Sequence, residues 1–122
     1  MAEELDHIHL HVQDLEATQK ALEAVLGTTV VKHFFSGTKE ILQLDFGGIK
    51  LSLSPAAADR PVGIDHLGIR TDRLDQLVDR FTEQGYTPVT DVMQSATSRI
   101  RFIRSPEGIT FEILEPVAGR GA

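Results

Sequence analysis

Histidine alternates with Ile, Leu and Val through Leu5-Asp6-His7-Ile8-His9-Leu10-His11-Val12. This is the period-two pattern of a strand with one apolar and one polar face. Asp14 then precedes Leu15, Leu22, Val25 and Leu26, and Gly27 closes the segment, which predicts a capped amphipathic helix. Strands are predicted at 29–35, 40–46 and 49–54, separated by Ser36-Gly37 and Gly47-Gly48, both turn signals. The series then begins again. Residues 64–71 predict a strand. Leu74, Leu77, Val78 and Phe81 line a helix that ends at Gly85, and strands follow at 87–93, 99–104 and 109–115.

The recurrence extends to the residues themselves. Ile64-Asp65-His66-Leu67-Gly68-Ile69 overlays Leu5-Asp6-His7-Ile8-His9-Leu10, so that His7 and His66 stand 59 positions apart (66 − 7). Phe46-Gly47-Gly48-Ile49-Lys50-Leu51-Ser52-Leu53 overlays Pro106-Glu107-Gly108-Ile109-Thr110-Phe111-Glu112-Ile113 with one residue of slip. A repeat of this length indicates a duplicated unit. The join falls near Pro55-Ala56-Ala57-Ala58-Asp59-Arg60-Pro61. The chain is therefore expected to be one domain over 1–122, with module one at about 5–55 and module two at about 63–116.

Composition narrows the function classes. With 41% hydrophobic and 25% charged residues, the chain has the makeup of an ordinary globular domain. A net charge of −6, with no dense basic run, points away from nucleic acid and anionic membranes. No apolar run approaches the ~20 residues of a membrane span. The acidic start Met1-Ala2-Glu3-Glu4 is unlike a secretory leader, so a cytoplasmic protein acting on a small molecule is expected. The absence of cysteine removes thiol nucleophiles and thiolate-bound zinc.

Strand parity gathers the remaining chemistry. Ile8, Leu10 and Val12 are expected against the first helix, with His7, His9 and His11 on the other face and His11 toward its rim. Leu51, Leu53, Phe111 and Ile113 should likewise cover helices, which turns Ser52, Ser54, Glu112 and Leu114 away from them. His7, His66 and Glu112 then share an inner surface. A lone strand histidine is ordinarily a surface or hydrogen-bonded residue, but these two follow aspartate at equivalent repeat positions. Two imidazoles and a carboxylate form the facial triad that holds Fe(II), Mn(II), Co(II), Ni(II) or Zn(II) with positions left open. Leu42, Leu44, Ile100 and Phe102 are expected to line the same pocket.

These motifs, together with Asp14-Leu15-Glu16-Ala17-Thr18 and Leu26-Gly27, resemble the vicinal oxygen chelate superfamily. That group is also called the glyoxalase, bleomycin-resistance and dioxygenase superfamily. The resemblance covers residues 5 to about 116. It implies an α+β fold in which two βαβββ modules form an eight-stranded cupped mixed sheet with helices outside. It also implies a divalent metal ion on His7, His66 and Glu112. Four-ligand members add Glu or Gln on the last strand of the first module, where this chain has Ser52. Related small members are commonly homodimers that share metal sites between subunits, an arrangement that would draw His7 from one chain and His66 and Glu112 from the other.

Three activities fit this resemblance. One is lyase or isomerase chemistry of the glyoxalase or epimerase kind, in which the metal chelates a substrate and a base moves a proton. Glu40 is one candidate base, following the Gly37-Thr38-Lys39 turn. His9, two residues from His7 on the same face, is the other. The second activity is extradiol-type ring cleavage with O₂. The third is fosfomycin- or bleomycin-type resistance, with Arg99, Arg101 and Arg104 as sources of positive charge. Tyr86, the only tyrosine, is expected to be structural.

Overall fold

A computed structural model describes residues 3–117. Met1 and Ala2, at the head of the acidic start, lie outside the described residues, as do residues 118–122. The fold is α+β and divides into two compact units. One comprises His7–Asp65, and the other the segments before and after it.

In the unit at His7–Asp65 the elements are β1 (Glu4–Val12, from His7 onward), α1 (Leu15–Leu26), β2 (Thr29–Ser36), β3 (Lys39–Phe46) and β4 (Ile49–Pro55). Helix α1 begins where predicted. The Asp14 carboxylate accepts the Ala17 N–H at 2.9 Å, which satisfies one of the helix's unpaired first-turn donors. It ends where Gly27 takes φ 70° and donates its N–H to the Glu23 carbonyl, a left-handed cap that glycine adopts without steric cost. The strands lie in the order β2-β3-β4-β1, with β1 and β4 parallel. The β2–β3 register shifts by one residue between Val30 and Lys32. Leu42, Leu44 and Leu53 form the core, and Leu10, Leu15, Leu22 and Leu51 pack against it.

The other unit repeats this plan. Its elements are β5 (Gly63–Arg70, from His66 onward), α2 (Leu74–Glu83), β6 (Thr87–Pro88), β7 (Met93–Gln94), β8 (Ser98–Arg104) and β9 (Thr110–Pro116). The order β5-β9-β8-β6, with β5 and β9 parallel, mirrors β1-β4-β3-β2. Leu74, Leu77 and Val78 of α2 bury against Ile103 and Ile113, with Ile69, Phe81, Tyr86 and Phe111 around them. Tyr86 has the structural role expected, with its ring centroid 4.8 Å from that of Phe81.

The strand predicted at 87–93 is two short pieces. Pro88 has no N–H to extend a ladder. Thr90 instead turns its polar groups onto β8: its carbonyl accepts Arg101 Nε at 2.8 Å, and its hydroxyl accepts the Phe102 N–H at 3.1 Å.

The start of the chain is tied to this second unit. Glu3 accepts bonds from Arg73 Nε at 3.0 Å, Arg73 Nη2 at 3.1 Å and the Thr71 hydroxyl at 2.9 Å. The Arg73 guanidinium, helped by Thr71, holds the Glu3 carboxyl down at about 2. Arg70 bonds Glu4 at 3.0 Å and approaches Asp6 to 3.8 Å.

Candidate metal centre

Parity on β9 is set by its neighbours. Phe111 and Ile113 join the α2 core, so Glu112 and Leu114 project from the other face. Across the antiparallel ladder Phe102 stands opposite Glu112, and Ile100 opposite Leu114, which puts all four on one face, as the alternation predicted. His66 of β5 is on that face as well. Its ring meets Phe102 edge-on, centroids 5.3 Å apart, and its Nε2 lies 2.9 Å from Glu112 Oε1. His66 is 5% exposed and Glu112 14%.

This spacing fits a shared metal ion. Imidazole nitrogen and carboxylate oxygen bind divalent ions at about 2.1 Å, so two ligands at right angles on one ion stand about 3.0 Å apart. No thiolate is required.

In the His7–Asp65 unit the polar face is strongly buried. His7, His9 and His11 are buried along β1, and Ser52 and Ser54 along β4. His9 is registered against Ser52, and its Nε2 lies 2.8 Å from the Ser54 hydroxyl. His11, expected at the rim, is only 2% exposed. Its ring lies 5.5 Å from that of His9, and its Nδ1 is 3.7 Å from Asp65 Oδ1.

Two expected pocket residues and one candidate base lie elsewhere. Leu42 and Leu44 are registered against Leu53 and Leu51, and all four belong to the cluster packed with Leu15 and Leu22 of α1. The helix-facing surface of β3 is therefore the even-numbered one. Glu40 shares that parity. Its Oε2 lies 2.7 Å from Nε2 of the exposed His33, in a hollow shared with Leu15, Glu16 and Gln19 of α1. Glu40, one of the two candidate bases, thus lies on the opposite sheet face from His9 and Ser52. Gln43 was not singled out in the sequence. It sits on the histidine-bearing face, opposite Ser52, and donates Nε2 to the Ser52 hydroxyl at 3.4 Å.

The arginines considered for an anion pocket are engaged. Arg99 binds Glu115 at 2.7 Å and Asp75 at 3.1 Å, contacts that raise its pKa above the usual guanidinium value, the Asp75 bond foremost. Arg101 is held by the Thr90 carbonyl.

Residues 4–113 match the family model described as Glyoxalase/Bleomycin resistance protein/Dioxygenase superfamily. The chain belongs to this superfamily. Among solved structures, a hypothetical protein from Bacillus halodurans C-125 superposes with a TM-score of 0.79 at 18% identity, covering 94% of this chain and 95% of that one. Methylmalonyl-CoA epimerase from Mycobacterium tuberculosis gives 0.75 at 24% identity, covering 93% and 87%. Streptomyces coelicolor methylmalonyl-CoA epimerase in complex with 2-nitronate-propionyl-CoA gives 0.73 at 20% identity, covering 93% and 97%. These likenesses establish the superfamily fold. No curated protein matches the chain. Among the described residues no helix is long and apolar enough to cross a membrane.

Proposed function

We propose that this chain is a divalent-metal-dependent isomerase, acting by proton transfer on a small substrate that chelates the metal through two oxygens. The observation carrying the proposal is the ligand set. His66 Nε2 and Glu112 Oε1 stand 2.9 Å apart, and His7, buried on the polar face of β1, is taken as the third donor. A metal bound there would supply Lewis-acid stabilisation of the negative charge that develops on substrate oxygen.

The chain's own groups have separate tasks. His7 and His66 contribute neutral imidazole nitrogens, and Glu112 a carboxylate oxygen. Ile100, Phe102 and Leu114, on the face of His66 and Glu112, give an apolar wall that suits a small organic molecule. His9 moves the proton, because it shares the His7 face of β1 and the Ser54 hydroxyl orients its ring. Such orientation by a fixed hydrogen bond is what a general base needs. The similarity to methylmalonyl-CoA epimerases makes an acyl-CoA with an acidic α-carbon the first substrate class to try.

The test is an anaerobic incubation of metal-loaded protein with methylmalonyl-CoA in D₂O. Deuterium uptake at the α-carbon supports the proposal. Absence of exchange with every chelating acyl substrate tried, alongside O₂-dependent turnover of a catechol, would replace it with the ring-cleavage reading. The proposal includes a homodimer in the cytoplasm; light scattering at micromolar concentration tests the dimer, and a monomer mass excludes it.

A further inference from the structure

Helix α2 covers its side of β5 and β9 unevenly. Toward the start of the helix, Leu74 and Val78 bury with Ile103 and Ile113. Further along, Ile69, Phe81 and Phe111 stay half-buried, and an open hollow of about 510 Å³ lies against them. That volume is within the range of about 300–1,000 Å³ usual for small-molecule sites. Leu77, Arg80 and Phe81 form its helix wall, and their i, i+3, i+4 spacing puts them on one face of α2.

Two features define the ligand. The first is aromatic. The Phe81 and Phe111 rings lie 25° from parallel with centroids 6.2 Å apart, an offset stack that a third flat ring can extend. The second is charge. Glu3, at one side of the hollow, is already engaged by Arg73 and the Thr71 hydroxyl. Arg80 and Glu83 are exposed at the rim, and neither has an ion pair or side-chain hydrogen bond among the described residues. The rim thus offers one group to a carboxylate and one to an ammonium.

We infer that this hollow binds an aromatic α-amino acid, with its ring on Phe81 and Phe111, its carboxylate on Arg80 and its ammonium on Glu83. A simple carboxylate would meet the unmatched charge of Glu83, and a simple amine that of Arg80, so the zwitterion is preferred to either. Phe111 and Glu112 project from opposite faces of β9. The amino acid therefore sits across the sheet from His66 and Glu112 and leaves them open to a metal.

The probe is L-tryptophan, because the chain contains no tryptophan and the anisotropy of the added indole reports binding directly. On the whole chain, one L-tryptophan should bind with Kd below about 1 mM. Tryptamine and indole-3-propionate each lack one charge and should bind at least about threefold more weakly, the scale of an exposed ion pair. Arg80→Gln and Glu83→Gln, both at exposed positions, should weaken L-tryptophan to the same degree, and Arg80→Gln should bind tryptamine no more weakly than the unaltered chain. Amide shifts on titration should gather along α2 and at Ile69 and Phe111.

No saturable binding in the millimolar range overturns the proposal. So does equal affinity for all three ligands, or unchanged L-tryptophan affinity in either charge variant. Shifts gathered instead at His66 and Glu112 would place the ligand on the other face and overturn it as well.

Discussion

Glu112 Oε1 stands 2.9 Å from His66 Nε2, with both side chains largely removed from solvent. Left alone, such a pair is a hydrogen-bonded core contact, and removing one member leaves a buried polar group short of a partner. Around a cation, the same two atoms form one edge of a coordination shell. The distinction is experimental. Glu112→Gln keeps a hydrogen-bond acceptor and nearly the same shape, so the fold should persist with little change in Tm. Metal affinity should fall at least about tenfold, read by chelator competition.

Sheet parity favours His9 over Glu40 as the proposed base. Glu40→Gln should retain substrate turnover within about threefold, because its carboxylate bonds His33 on the α1 side of β3. His9→Gln should reduce turnover by the 10²- to 10⁴-fold typical of a lost general base while one metal ion stays bound. Steady-state assays of both variants, each checked for metal content, decide between them. A large loss in Glu40→Gln would return the role to that residue.

The β3 assignment also has a stability signature. Leu44 is fully buried, so Leu44→Ala should cost about 2–5 kcal/mol. Ile41→Ala, on the other face and only half-buried, should cost clearly less. Urea denaturation of the two variants gives the comparison.

Acid stability should respond to the N-terminal tie. Arg73 and Thr71 hold the Glu3 carboxyl at about 2, against an ordinary 4.5. In the unfolded chain this group takes up its proton near the ordinary value, whereas in the folded chain it does so only near 2. Its contribution to stability is thus complete above pH 4.5 and is lost as pH falls toward 2. Glu3→Gln should flatten the decline in Tm across that window and lower Tm slightly at neutral pH. An unaltered acid slope would show that the tie is not maintained in solution.

Much of this was legible in the chain. The Asp14 and Gly27 helix boundaries, the duplicated strand–helix–strand order and the two-residue alternation of β1, β4, β8 and β9 follow from local chemistry, and the structure has them. Parity on β3 was not legible for a physical reason. Ile41 and Leu42 are adjacent apolar residues, so the strand's own pattern does not choose a face. The register of Leu42 against Leu53 and of Leu44 against Leu51 chooses it, and register is a property of two strands. The same reason hid Gln43, whose bond to Ser52 comes from standing opposite it. His11 was misplaced toward the rim because distance along a strand says nothing about what covers its end; in the folded chain Asp65 lies beside it.

Elemental analysis of protein purified without chelator, on the unaltered chain and on His66→Ala, decides whether a cation is held at all. One divalent ion per unaltered chain, falling to near zero in a His66→Ala protein with native circular dichroism, is the expected result. An unaltered chain that takes up no divalent ion after loading and dialysis, or a His66→Ala protein that keeps its full complement, would contradict it.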